Sequence, residues 1–185
     1  MQLAYAHQIG IYSAHTNFDQ VNDGTADVLA QCLDLQQVSP LVMTQPSLGY
    51  GRVGNLPQPL PLEVLLEKIQ TRLSVPHLLV SPFSDGKQLI QRLAVLGGSG
   101  ASYIAAAVQA GAQAYLTADC KFHQFQESRD RHLILIDAGH YATERPACAR
   151  LVEIFQRLGL AWVRLSAEDE DFRWFARRAV KSPKR

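Results

Sequence analysis

Residues 134–144, ILIDAGHYATE, are the stretch on which the interpretation of this chain depends. Their branched apolar residues predict a buried strand, and the small residues that follow predict a turn. If a helix starts near Ala142, His140 and Glu144 project from one side of its first turn, close enough to share a metal ion. The alternative is a structural histidine with an ordinary glutamate in a first helical turn, and the stretch alone favours neither.

The length and composition of the chain indicate one globular domain. Its 185 residues, 47% hydrophobic and 19% charged, are enough to bury a core, and no apolar run is long enough to span a membrane. A formal net charge of +1 gives no electrostatic reason to expect nucleic acid or a membrane as a partner. We expect a single domain over residues 1–185, with a first half at about 1–60, a second half at 61–165 and a tail at 166–185.

The cysteines and the start of the sequence indicate a reducing compartment. Cys32, Cys120 and Cys148 are an odd, scattered set without C-x-x-C spacing, so neither a disulfide framework nor a structural zinc site is predicted. No charged start leads into a long apolar run, so we predict no signal peptide and expect a cytoplasmic location. No nucleophile-elbow pattern surrounds Cys120, which makes cysteine catalysis a poor interpretation.

Short strands and helices alternate along the first half. Branched and aromatic residues predict a strand at residues 9–14, and helical spacing of apolar residues predicts a helix at 25–35. A short strand is expected at 41–44, and the glycine-rich stretch 46–54 predicts a hairpin or connector. Three prolines then lead into a helix whose leucines and isoleucine form an apolar stripe over residues 62–73.

The second half has a more regular pattern of strand, turn and helix. Residues 92–117 predict a βαβ unit, in which the GGSG turn at 97–100 joins a strand to a small-residue helix. Further strands are predicted at 75–81, 132–136 and 160–165, and a helix with Pro146 in its first turn ends at Gly159. After them we expect SAEDED at 166–171 to be a solvated acidic run, Phe172, Trp174 and Phe175 to dock or cover an interface, and the basic end from Arg177 to fray.

Polar clusters directly follow four of the predicted strands: HTNFD, GGSG, TADCKFH and DAGHYATE. In the first cluster, Asp19 is a candidate metal ligand, or else it forms an Asx turn. GGSG could hold an anion on its backbone N–H groups, or serve only close helix–strand packing. In the third, Asp119, Lys121 and His123 could supply acid, base and electrostatic functions; alternatively Asp119 caps a helix and the other two are surface residues.

The four clusters are expected to meet at one place. Ligands bind at the carboxyl ends of strands in open α/β sheets, and all four clusters follow strands. Mixed imidazole and carboxylate ligation suits zinc, manganese, iron or nickel better than calcium, and carboxylates can bridge two ions. The donors are Asp19, His140 and Glu144, with His15, Asp119 and His123 in reserve.

In this order and at these separations, the clusters resemble the signature blocks of the Nif-three-like dinuclear metal centre family, whose members are often called GTP cyclohydrolase 1 type 2 homologues. The resemblance covers roughly residues 7–165. It implies an α/β fold with a mixed sheet flanked by helices, assembly into a toroidal homohexamer and a two-metal site inside each subunit.

The resemblance also implies roles for individual residues. Asp19 matches the ligand aspartate of the HTN-x-D block, and His140 and Glu144 match the ligand pair of the GHY-x-x-E block. His15 and His123 match histidines that line the same pocket, where they would move protons.

Two departures from the family pattern bear on function. The paired histidines of an HHP block, which supply further ligands in the family, precede the region that this chain matches, and Ala118 and Cys120 stand in a block that is usually of TGD type. We therefore expect an amino-terminally shortened or divergent member that binds one or two divalent ions and could hydrolyse an unidentified small molecule. The alternative is a non-catalytic assembly or regulatory protein with an incomplete metal site.

Overall fold

The structure, a computed structural model, describes residues 1–82 and 85–173. The strands in these ranges are β1 (Gln36–Gln45), β2 (Leu48–Pro61), β3 (Leu79–Val80), β4 (Leu89–Ser99), β5 (Ala114–Ala118) and β6 (Ile134–Asp137). The helices are α1 (Gln2–Ala6), α2 (Thr16–Asp19), α3 (Thr25–Cys32), α4 (Leu62–Leu73), α5 (Ile104–Gln109), α6 (Phe122–Asp130) and α7 (His140–Arg157). A 3-10 turn at Ala101–Tyr103 leads into α5.

The strands form one mixed sheet in the order β1-β2-β4-β5-β6-β3. Strands β4, β5 and β6 run parallel through its centre, and their connections contain α5 and α6. The hairpin of β1 and β2 pairs antiparallel on one side, and β3 pairs antiparallel on the other. The predicted α/β class, with a mixed sheet flanked by helices, is confirmed.

Side chains of the central strands are buried on both faces of the sheet. Leu116 and Ile136 belong to the apolar core that includes α3, α4 and α7, whereas Tyr115 and Leu135 belong to the core that includes α5. Adjacent residues thus enter different cores, as the two-residue period of a strand requires. The central strands therefore contain continuous apolar runs at residues 93–96, 114–116 and 134–136, which made them recognisable in the sequence.

Two predicted strands at the ends of the chain are wrong. Residues 9–14 and 160–165 contain no strand, and Ile11 and Trp162 are 67% and 75% exposed. Both segments have the apolar content of a strand, but among the described residues no strand pairs with them. An apolar segment without a pairing strand leaves its backbone groups to water and gains no burial.

Several other boundaries differ from the predictions. Of residues 75–81 only β3 is a strand, and the glycines of the predicted turn at 97–100 mostly extend β4, whose register with β5 shifts there. Helix α7 begins two residues earlier than Ala142, which moves Pro146 into its second turn. Phe172 is exposed, and Trp174, Phe175 and the basic end lie outside the described residues. No helix within the described ranges is both long and apolar enough to cross a membrane.

Candidate metal centre

The candidate centre lies where the parallel strands β4, β5 and β6 end. Asp137, the last residue of β6, accepts hydrogen bonds from the backbone N–H of Cys120 and of Gly139, both at 2.8 Å. One carboxylate thus joins the exits of β5 and β6. Gly139 has a φ of 84°, a left-handed conformation that glycine adopts without strain, and it directs the chain into α7.

His140, the first residue of α7, is held between two carboxylates. Its Nδ1 lies 2.6 Å from Oδ2 of Asp119, and its Nε2 lies 3.1 Å from Oε1 of Glu144. The last contact shows that the four-residue spacing predicted from the sequence does bring these two side chains together. Asp119 does not cap α6, since Lys121 occupies that position. All three side chains are 41–46% exposed, so the site is open to solvent.

Two adjacent glycines of β4 make room for the centre. A Cβ on Gly98, whose φ is 67°, would lie 2.3 Å from Oε1 of Glu144 and 3.1 Å from Nε2 of His140. A Cβ on Gly97 would lie 2.9 Å from Cγ2 of Thr25, at the start of α3. Close packing, the simpler of the two interpretations of GGSG, is therefore what the structure shows, and the backbone passes directly beside the candidate ligands.

Asp19 approaches the centre from α2. Burial raises the pKa of its carboxyl group, while a hydrogen bond from Thr25 and the charges of His15 and His140 act in the opposite direction. Burial likewise raises the pKa of Glu144; His140 lowers it, and the charge of Asp19 raises it further. The two carboxylates and two histidines therefore share one electrostatic environment.

The state of His140 is set by opposing effects. Partial burial lowers its pKa, but the hydrogen bond with Asp119 and the charges of Glu144 and Asp119 outweigh burial, so the pKa is raised. In contrast, burial and nearby Asp137 raise the pKa of Cys120 to about 12. Its thiol stays protonated near neutral pH, which agrees with the prediction that this cysteine is not a nucleophile.

The two histidines expected to move protons are placed differently. His15 precedes α2, and its charge acts on both Asp19 and Glu144. His123 lies exposed on α6, and within the described ranges its side chain forms no hydrogen bond or ion pair. Of the pair, only His15 therefore belongs to the electrostatic environment of the candidate ligands.

A buried ion pair, which sequence reasoning missed, supports the Asp19 side of the centre. Arg52 of β2 is 2% exposed and donates hydrogen bonds to the carboxylate of Asp27 and to the carbonyl oxygens of Gly49, Gly51 and, at 3.2 Å, Val21. These bonds fix α3 and the loop before it against the sheet. The two charges are 25 residues apart, so no local spacing could have shown that they pair.

The donor set fits the geometry of a shared ion in part. Two donors about 2.1 Å from one ion lie about 3.0–3.4 Å apart, and the 3.1 Å between Nε2 of His140 and Oε1 of Glu144 fits that separation. Within residues 1–82 and 85–173, however, no three His, Cys, Asp or Glu side chains form a group that could hold an ion. The structure thus has two donors in place, and Asp19 would have to complete the set.

Comparison with known proteins identifies the family of this chain. Residues 1–169 match the family model Duf34/NIF3 (NGG1p interacting factor 3). The chain belongs to this family. A curated relative from Nostoc sp., named GTP cyclohydrolase 1 type 2 homolog, is 67% identical over 174 residues, which cover 94% of this chain and 66% of the relative. A relative of the same name from Streptomyces coelicolor is 39% identical, with 83% and 57% covered.

A solved structure agrees with the Duf34/NIF3 assignment. The crystal structure of a Bacillus cereus protein related to NIF3 superimposes with a TM-score of 0.87 at 19% identity, covering 95% of this chain and 76% of that one. At that identity the likeness shows the shared fold. This Duf34/NIF3 chain spans about two thirds or less of the length of the two curated relatives.

Proposed function

We propose that this Duf34/NIF3 chain binds a divalent metal ion through Asp19, His140 and Glu144. The proposal rests on the 3.1 Å distance between Nε2 of His140 and Oε1 of Glu144. Gly98 lies beside this pair, and its lack of a side chain leaves space for the two ligands. Zinc, iron, manganese and nickel suit this mixture of imidazole and carboxylate ligands, and one or two ions are compatible with it.

Asp119 is proposed to position His140. Its carboxylate accepts the Nδ1 proton of the imidazole at 2.6 Å, which leaves the lone pair of Nε2 directed to the side where Glu144 lies. Carboxylates in this position fix the tautomer and the ring orientation of histidine ligands, and their loss typically weakens metal binding by about 10- to 100-fold.

The chemistry proposed for the site is hydrolysis of a small molecule. A divalent ion held by Asp19, His140 and Glu144 would supply a bound water of lowered pKa. His15 is the proposed proton carrier, because its charge acts on both carboxylate ligands, and His123 is the second candidate. The name of the curated relatives suggests GTP as one substrate to assay. Self-association into a hexamer and a cytoplasmic location, both expected from the sequence, belong to the same proposal.

The test is metal content measured by plasma mass spectrometry on protein purified without a chelator. Glu144→Gln is expected to lose most of the metal, since a neutral amide is a poor replacement for a carboxylate ligand. Glu153→Gln is the matched control, because Glu153 lies on the same helix, 61% exposed and paired with Arg150. Asp119→Asn should keep the stoichiometry at saturating metal but bind about 10- to 100-fold more weakly.

Equal metal content in the Glu144→Gln and Glu153→Gln variants would contradict the proposal that Glu144 binds a metal ion. That result would instead favour the second candidate, a non-catalytic assembly protein. The observation in its favour is the apolar surface at both ends of the described chain, where Tyr5, Tyr12, Trp162 and Phe172 are each at least 75% exposed.

A further inference from the structure

A cavity of about 460 Å³ lies beside the first two turns of α7, between the carboxyl end of α4 and the last described residues. Its volume is within the range of small-molecule sites. Apolar residues form much of its wall, among them Leu73, Val75, Pro76, Ala138 and Pro146. The polar part of its lining consists of three arginines, one carboxylate and two hydroxyl groups: Arg72, Arg145, Arg173, Asp171, Ser74 and Tyr141.

Residues 168–173, here called the acidic strap, form one side of this cavity, since Asp171 and Arg173 belong to its lining. The carboxylate of Asp169 is 2.9 Å from Nε of Arg145, and its backbone oxygen accepts a hydrogen bond from the hydroxyl of Tyr141 at 3.2 Å. Asp171 pairs with Arg173 at 2.9 Å. The predicted solvated acidic run is therefore only partly correct: Ser166, Ala167, Glu168 and Glu170 are exposed, whereas Asp169 and Asp171 are partly buried and paired with arginines.

The fit between the acidic strap and the cavity is incomplete. Oδ2 of Asp169 is buried and accepts no hydrogen bond from residues 1–82 or 85–173, since the Nε–H of Arg145 is donated to the hydroxyl of Tyr141 at 2.8 Å. A buried carboxylate oxygen that lacks a hydrogen bond is held less tightly than one that is fully bonded. An anion with more oxygen atoms than a carboxylate could reorient the guanidinium of Arg145 to donate hydrogen bonds to it. Such an anion would therefore bind at this position more tightly than Asp169 does.

We propose that the cavity binds a phosphate monoester with an apolar ring, whose phosphate displaces Asp169 from Arg145 and Tyr141. Guanidinium groups bind phosphate oxygens in pairs, and the apolar wall suits the ring. In the absence of the ligand, Asp169 of the acidic strap occupies the position that the phosphate would take. Arg173 connects the cavity to the candidate metal centre. Its guanidinium lies beside Gly139, and its positive charge interacts with the carboxylate of Asp119.

Isothermal titration of the full chain with phenyl phosphate, in the presence of EDTA, tests this inference. EDTA keeps metal at His140 from taking the phosphate, so the result does not depend on the proposed function. Arg145→Gln should weaken binding by about tenfold or more, through loss of a charged hydrogen-bond donor. Asp169→Asn should strengthen binding by about fivefold, because the competing ion pair is removed. Phenol, which lacks the phosphate, should bind far more weakly than phenyl phosphate.

Arg129→Gln and Asp130→Asn are the matched controls, since these residues form an exposed ion pair on α6. Both should bind phenyl phosphate as the unsubstituted chain does. The inference is overturned if Arg145→Gln retains the full affinity, if Asp169→Asn gains none, or if phenol binds as tightly as phenyl phosphate. Circular dichroism of each variant separates a lost contact from a lost fold.

Discussion

The central strands and the two ends of the chain have similar apolar sequences but different structures. Ile136 in β6 is fully buried, whereas Ile11, in an equally strand-like stretch, is 67% exposed. Strand β6 has a parallel neighbour on one side and β3 on the other, while no described strand pairs with residues 9–14 or 160–165. The difference shows that apolar content allows a segment to form a strand, but that the segment becomes a strand only when a neighbouring strand pairs with it.

The largest expected effect comes from the ion pair that fastens α3 to the sheet. Arg52→Leu should lower the free energy of unfolding by about 3–5 kcal/mol, because Asp27 is left as a poorly solvated charge. Arg164→Leu is the control, because Arg164 is exposed and, among the residues that the structure describes, donates only to nearby carbonyl oxygens. It should change stability by no more than about 0.5 kcal/mol. Urea unfolding measures both, and equal losses would contradict the comparison.

A truncation of the same residue type in both regions gives the next effect. Ile136→Ala should cost about 2–5 kcal/mol, since it opens a cavity in a fully buried position. Ile11→Ala should stay within about 0.5 kcal/mol. Chemical denaturation of the two variants side by side is sufficient. A cost above about 2 kcal/mol for Ile11→Ala would mean that residues 9–14 pack in solution, and the contrast would fail.

The smallest of the three effects is expected for glycine. Gly98→Ala should cost about 1–3 kcal/mol, because its φ is 67° and the added Cβ meets Glu144. Gly10→Ala is the control, since a Cβ there has nothing within 4 Å. Thermal unfolding followed by circular dichroism should show a lowered midpoint for the first variant alone. If neither variant changes the midpoint, Gly98 does not lie as close to Glu144 as the structure indicates.

Most of the fold was predictable because its central elements have complete local signals. The alternation of β4, α5 and β5 was recognised from a strand, a glycine stretch and a small-residue helix, and their parallel pairing is confirmed. The hairpin at residues 46–54 was recognised from its glycines and proline, and its turn joins β1 to β2. The errors fell where pairing with a distant segment, and not local pattern, decides the structure.

The candidate site was predictable to a different degree on each of its sides. His140 and Glu144 are four residues apart, so helical geometry alone brings them together. The contact of Asp119 with His140 joins two strand exits, and the sequence left it open whether that aspartate was a helix cap. Nothing local indicated that the acidic run would approach Arg145, since that contact forms between segments 24 residues apart.

The sequence by itself determined the central strands β4, β5 and β6, the helices with apolar faces and the proximity of His140 to Glu144. Those properties repeat with the period of a strand or a helix and are therefore encoded locally. The tertiary structure decided which apolar segments became strands, which carboxylate holds His140, and how Arg52 and Asp27 meet. Such contacts join residues far apart in the chain, and their energy depends on burial and pairing that only the folded molecule supplies.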